Sequence, residues 1–206
     1  MLLYAVTDRA WVGQQLLYEQ IEAALKGGVT CVQLREKELN EEAFLEEALE
    51  VGCLCKKYHV PFIVNDNVDV ALKCGADGIH VGQHDMKAGY VRQLIGQNMI
   101  LGVSVQTVAQ AIEAEKNGAD YLGVGAVFHT TTKPDADIVS HETLKQICSS
   151  VSIPVVAIGG IHKHNIEELA GSGVDGVALV SAIFASENIK DECMQLRKLS
   201  ERMVTV

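Results

Sequence analysis

The polar residues that interrupt apolar, β-branched runs are where this 206-residue chain would do chemistry. One run ends in Gln33-Leu34-Arg35-Glu36-Lys37. Strand alternation puts Gln33, Arg35 and Lys37 on one face, and two cations beside an amide can grip phosphate oxygens. The same trio would serve equally as a salt-bridged polar layer with an exposed Lys37. A second run ends in Asn65-Asp66, and Asp85 follows a third in His80-Val81-Gly82-Gln83-His84-Asp85. Adjacent strands lie about 4.8 Å apart, so two carboxylates above adjoining strands can converge on one cation. Mg2+ suits so sparse a site, because it takes one or two carboxylates and shares the phosphates of its substrate. The competing reading makes each aspartate the cap of the helix after it. For His80, substrate contact and core filling are both open.

Further along, Gly125-Ala126-Val127-Phe128-His129-Thr130-Thr131-Thr132-Lys133-Pro134 carries three hydroxyls and a lysine that can donate to a diphosphate when a loop closes. A plain polar surface loop would have the same composition. Gly159-Gly160-Ile161 and Val180-Ser181-Ala182-Ile183 each follow an apolar run. Glycines admit an anion close to backbone amides, and a helix start presents free N–H groups. His162 and His164 have no third ligand nearby in sequence, so a solvent-facing role is preferred to a metal. No P-loop, GxGxxG after a first strand, or GxSxG elbow occurs.

The elements that must position these residues alternate strictly. Candidate strands are Leu2–Val6, Thr30–Arg35, Pro61–Asn65, Gly78–Val81, Met99–Ser104, Tyr121–Gly125, Pro154–Ile158 and Gly176–Leu179. Between them lie stretches of helical period such as Gln14–Lys26, Glu41–Lys57, Thr107–Asn117 and Ile166–Ala170. One phrase recurs before every second strand: Gly28-Val-Thr-Cys-Val-Gln-Leu, Gly75-Ala-Asp-Gly-Ile-His-Val, Gly118-Ala-Asp-Tyr-Leu-Gly-Val and Gly173-Val-Asp-Gly-Val-Ala-Leu. A βαβα unit used four times closes into a (β/α)8 TIM barrel of parallel strands, a single α/β domain over residues 1–206. In such a barrel, chemistry sits at the C-terminal strand ends and in the loops that follow.

The net charge of −10 argues against bulk affinity for nucleic acid or anionic membranes, while leaving local cations free to bind small anions. The first residues reach Asp8 and Arg9 too soon for a signal peptide, and no apolar run is long enough to span a bilayer. Six cysteines, of which only Cys53 and Cys55 are close, match neither a zinc nor a redox motif. They read as reduced thiols of a cytoplasmic protein. Self-association into a homo-oligomer stays open.

Together the phrases LLYAVTD, QLREK, VND, GIHVGQxD, GVS, GxVFxTxTK, AIGGI and ALVSAI, from Tyr4 to Ile183, resemble the thiamine phosphate synthase family. The resemblance implies a barrel enzyme that joins hydroxymethylpyrimidine diphosphate to thiazole phosphate, releasing pyrophosphate. Carried over by motif, Gln33, Arg35, Lys37 and Asn65 would hold the pyrimidine diphosphate, and Asp66 and Asp85 would bind Mg2+. Ser104 would lie near the pyrimidine and Lys133 would reach the diphosphate. Thr130, Thr132, Gly160, Val180 and Ser181 would form the thiazole phosphate end. Arg35, Lys37, Ser104 and Lys133 are thus the expected catalytic set. The chain departs from the family's usual proline at Ala126, His129 and Lys87, and from its glycine near Ser140, which bears on loop closure more than on ligand identity. Two other functions fit the same barrel: a thiazole tautomerase-like isomerase, and a noncatalytic thiazole phosphate-binding protein. The first needs no diphosphate grip and the second no metal carboxylates, so retention of both favours the synthase.

Overall fold

Short runs of aliphatic and β-branched residues suit strands buried on both faces, which a parallel sheet covered by helices requires. The computed structural model describes residues 1–12, 15–130 and 137–205. Its strands are β1 (Leu3–Val6), β2 (Cys31–Leu34), β3 (Phe62–Asn65), β4 (Gly78–Val81), β5 (Ile100–Val105), β6 (Tyr121–Val124), β7 (Val155–Ile158) and β8 (Gly176–Leu179). Each pairs in parallel with the next, and β8 returns to β1 through Leu3↔Val177, so the barrel closes. The expected strands agree within a residue or so at each end.

The outer layer is α1 (Leu17–Lys26), α2 (Glu41–Lys57), α3 (Val68–Cys74), α4 (Ala88–Ile95), α5 (Val108–Lys116), α6 (His141–Ser150), the single turn α7 (Ser181–Phe184) and α8 (Ile189–Thr205). Polar side chains start several of them. Asn40 accepts from the Ala43 amide at 2.9 Å, and Thr107 and Gln110 form a reciprocal capping box. Two expectations need correction. Ile166–Ala170 is not an α-helix but a 3-10 turn over Ile166–Leu169, so a lean link joins β7 to β8. The first helix begins at Leu17, where the Glu19 carboxylate accepts from the Leu16 amide; Gln14 lies outside the described residues.

Two apolar clusters result. The larger fills the space between strands and helices. The smaller lies within the barrel and contains Tyr4, Val6, Cys31, Ile63, Tyr121, Val156 and Ala178. Alternation along each strand sends side chains to these two places in turn.

The recurring phrase has a structural meaning that periodicity does not reveal. Its glycines, Gly28, Gly75, Gly118 and Gly173, all have φ between +64° and +96°, the left-handed region that turns the chain back into the barrel. Two residues later stand Thr30, Asp77, Asp120 and Asp175. Their backbone amides donate to the carbonyls of Leu3, Phe62, Leu101 and Val155 at 2.8–2.9 Å. Their side-chain oxygens accept from the amides of those same four residues at 2.7–2.9 Å. Every even strand therefore clasps the start of the strand before it with a two-bond ring. Beside the third clasp, the buried Arg92 of α4 donates to the carbonyls of Gly96, Met99 and Gly118 and to Asp120.

Removing one clasp leaves a strand-end amide without its acceptor, a loss of about 1–2 kcal/mol. Asp175→Ala is expected to lower the unfolding free energy by about that much, and Asp175→Asn, which keeps an acceptor oxygen, by less. Urea denaturation followed by circular dichroism measures both.

Candidate active site

The polar residues gather where the strands end. β1 runs into Thr7-Asp8. The buried Thr7 hydroxyl accepts from the Arg35 amide at 2.9 Å, and Asp8 accepts from the Arg35 guanidinium at 3.0 Å. The opening of the chain thus fixes both backbone and side chain of Arg35. Glu36, the intervening residue, is buried on the other side, where Arg9 bridges it at 3.0 Å to Glu47 of α2 at 2.8 Å. Alternation therefore continues past β2, with Gln33, Arg35 and Lys37 on one side and Glu36 on the other.

Lys37 forms an ion pair with Asp66. Asp66 stands one residue beyond β3 in a left-handed conformation (φ +61°), which an aspartate tolerates better than most residues. Its amide donates to the His80 carbonyl at 2.9 Å, tying it to β4. Burial first, and then the neighbouring Asp85, push the Asp66 carboxyl above the usual carboxylate range, against the pull of Lys37. Asp85 lies in the loop after β4, where it accepts from the Gly82 amide at 2.7 Å. Neither aspartate caps a helix: Asn67 caps α3, accepting from Val70, and Lys87 stands at the start of α4. Two mutually repelling carboxylates, one of them already paired with an ammonium, form a donor set fit for a divalent cation. Among the described residues no group of three His, Cys, Asp or Glu gathers, so any cation here would rest on this pair. Asn65, buried at the end of β3, makes no side-chain hydrogen bond among the described residues.

Sequence reasoning named Gln33, His80 and Ser104 but missed the two tyrosines that link them into one line inside the barrel. Gln33 Nε2 donates to the Tyr4 hydroxyl at 2.7 Å, and the Tyr4 and Tyr121 hydroxyls lie 2.8 Å apart. Tyr121 meets His80 Nδ1 at 2.8 Å, and His80 Nε2 meets Ser104 Oγ at 2.8 Å. Tyr4, Gln33, His80 and Tyr121 are buried, and Ser104 is half-buried. Burial pushes both tyrosines well above their ordinary range and His80 down to about 4, although Asp85 pulls His80 the other way. The signal available beforehand was phenols at strand positions, each needing a partner for its hydroxyl if it faced inward.

On the other side of the mouth, the segment after β6 lies against the glycine pair after β7. Val127 and Phe128 donate to the carbonyls of Ile158 and Gly159 at 3.0 Å. A Cβ on Gly160 (φ +67°) would collide with the backbone of Phe128 and His129, so only glycine fits. Asn165 donates to the Gly160 carbonyl at 2.9 Å. Val180 opens α7 without a side-chain cap, leaving the Ser181 end of that turn available to an acceptor. Thr130 is half-buried and described; Thr132 and Lys133 lie outside the described residues. A cavity of about 330 Å³ between this segment and α6 is lined by apolar Val127, Phe128, Val139, Leu144 and Leu169 together with His141 and Glu168. Asp66, Asp85, Arg35 and Lys37 do not line it, so it lies apart from the charged side of the rim.

The rim thus has a cationic and carboxylate side on β2–β4 and a glycine-rich side on β7–β8, and the Gln33–Ser104 chain crosses the interior below it. The family model for thiamine monophosphate synthase matches residues 3–183. The thiamine-phosphate synthase of Clostridium acetobutylicum is 50% identical over 190 residues, covering 92% of this chain and 90% of that protein. That of Ruminiclostridium cellulolyticum is 50% identical over 197 residues, covering 96% and 94%. The structure of thiamine phosphate pyrophosphorylase from Pyrococcus furiosus superposes with a TM-score of 0.91 at 41% identity, covering 98% of this chain and 96% of that one.

The depressed His80 links stability to pH. Between pH 6.5 and about 4 the unfolded chain binds a proton on this imidazole that the folded chain refuses. Its contribution is complete above pH 6.5 and is lost as pH falls, by about 3 kcal/mol in all at about 1.4 kcal/mol per unit. Urea midpoints measured from pH 7 down to pH 4 are expected to fall, and to fall less steeply in His80→Gln.

Proposed function

The chain belongs to the thiamine monophosphate synthase family and is a transferase, and from that premise we propose that it condenses hydroxymethylpyrimidine diphosphate with thiazole phosphate. The products are thiamine phosphate and pyrophosphate. The observation that carries the proposal is the convergence of Asp66, Asp85, Lys37 and Arg35 at one side of the rim. A phosphate-binding isomerase has no use for that grouping.

In this reading Arg35, oriented by Asp8, binds diphosphate oxygens, and Lys37 exchanges its bond with Asp66 for one with the diphosphate. Asp66 and Asp85 would hold Mg2+, which supplies further positive charge to a departing pyrophosphate. Gln33, Asn65 and Ser104 bind the pyrimidine. The C–O bond at the pyrimidine methylene breaks with its electron pair leaving on pyrophosphate. The aminopyrimidine delocalises the resulting cation, and the thiazole nitrogen supplies the pair for the new C–N bond. The protein's work is orientation and charge stabilisation, with no side chain required as nucleophile. Gly160, Val180 and Ser181 receive the thiazole phosphate at open backbone amides, and Thr130, Thr132 and Lys133 close over both ligands. No helix among the described residues is long and apolar enough to cross a membrane. The six free thiols support a reducing, cytoplasmic setting.

Purified protein mixed with both substrates and Mg2+ is expected to yield thiamine phosphate by mass spectrometry. Chelation of the metal should stop the reaction, and Asp66→Ala should lower kcat by a factor of about 100 or more. Absence of product from the wild-type protein, or an undiminished rate from Asp66→Ala, would overturn the proposal.

A further inference from the structure

The chain Gln33–Tyr4–Tyr121–His80–Ser104 spans the barrel from β2 through β1, β6 and β4 to β5, in four contacts of 2.7–2.8 Å. Its room is provided by the backbone. A Cβ on Gly102 would strike the Tyr121 hydroxyl and His80 Nδ1, and one on Gly123 would come within 3.1 Å of His80 Cε1. Ring contacts accompany these bonds: the two tyrosines meet edge to face at 6.0 Å and 65°, and His80 lies tilted against Tyr121 at 5.5 Å and 40°.

Each interior member has one proton to give, so the direction of any one bond dictates the rest. Gln33 presents its amide nitrogen to Tyr4, and that nitrogen only donates. Tyr4 must then donate to Tyr121, and Tyr121 to His80 Nδ1. His80 is left with its proton on Nε2 and gives it to Ser104 Oγ. The Ser104 proton is thereby freed toward the mouth, and the Gln33 carbonyl oxygen is freed at the other end. Turning the Gln33 amide over would reverse every bond and exchange donor for acceptor at both ends.

We propose that Tyr4, Tyr121 and His80 are positioning residues that lock the hydrogen-bond polarity of Gln33 and Ser104 together, so that the site offers an acceptor at Gln33 and a donor at Ser104. Such a pair matches a ring edge that donates through an exocyclic amine and accepts at a ring nitrogen, as an aminopyrimidine does. An oxo-pyrimidine edge, with acceptor and donor exchanged, meets the wrong polarity at both points. The chemistry of recognition rests on the function proposed above; the locked polarity itself does not.

The test is the tautomer of His80, read by nitrogen NMR on full-length protein labelled with 15N-histidine and assigned by loss of the signal in His80→Gln. In wild type without substrate, the expected state is a neutral ring with its proton on Nε2. Gln33→Glu places an acceptor-only group beside Tyr4, and the proton is expected to move to Nδ1. Tyr4→Phe cuts the chain from Gln33, and the single tautomer is expected to give way to a mixture. In turnover, Tyr4→Phe should lower kcat/KM for the pyrimidine diphosphate about tenfold, the worth of one hydrogen bond, with KM for thiazole phosphate unchanged. A wild-type proton on Nδ1, a tautomer unmoved by Gln33→Glu, or an unchanged kcat/KM in Tyr4→Phe would each overturn the proposal. If the protein makes no thiamine phosphate while the tautomer behaves as described, the function proposed above fails and the locked polarity stands.

Discussion

The clasp by which one residue takes both the amide and the carbonyl of a residue at the start of the preceding strand governs this barrel. It occurs at Thr30, Asp77, Asp120 and Asp175, at the N-terminal end of every even strand. Most of the strands are only four residues long, so the ladder between any two is short. A slip by one residue would also turn every side chain to the opposite face. The clasp sets register at the closed end, and rigid strands carry it roughly 13 Å to the rim at about 3.3 Å per residue. Asp66 and Arg35, each one residue past its strand, owe their placement to bonds at the far end of the molecule.

The rim itself holds its charges in check. Arg35 rests on Asp8, Lys37 on Asp66, and Arg9 on Glu36 and Glu47. In a chain of net charge −10, Arg35 and Lys37 are thus already paired with carboxylates. An arriving polyanion exchanges one set of oxygens for another and does not meet bare cations. Such exchange costs less desolvation than pairing from bulk water, and the partly exposed pairs are weak enough to yield.

Much of this was legible in the sequence, and for identifiable reasons. Strand positions followed from β-branched runs bounded by glycine, and the fourfold phrase pointed to closure because equal surroundings favour equal sequences. What the phrase does at Asp77 or Asp120 was not legible, since an aspartate before a strand has no periodicity. Nor was the interior chain. Tyr4 and Tyr121 are separated by 117 residues and meet only because the barrel closes, so they read as ordinary strand formers. That neither aspartate caps a helix turned on single positions, Asn67 after Asp66 and Lys87 two residues after Asp85, finer than any pattern of composition resolves. The stretch Ile166–Ala170 carries helical period, but the route from β7 to β8 leaves it only a 3-10 turn.

The two glycines that make room for His80 and Tyr121 also constrain how this interior can change over generations. Bulk at position 102 is barred while the imidazole and phenol stand there, bulk at 123 would press on the imidazole, and shrinking either ring alone would strand the hydroxyl partners of the other. Positions 80, 102, 121 and 123 consequently form a set in which the first step of most replacements is harmful, whatever the merit of the finished combination. Change is physically cheaper at loops and helix surfaces than at these four interior positions, which only concerted replacement could alter.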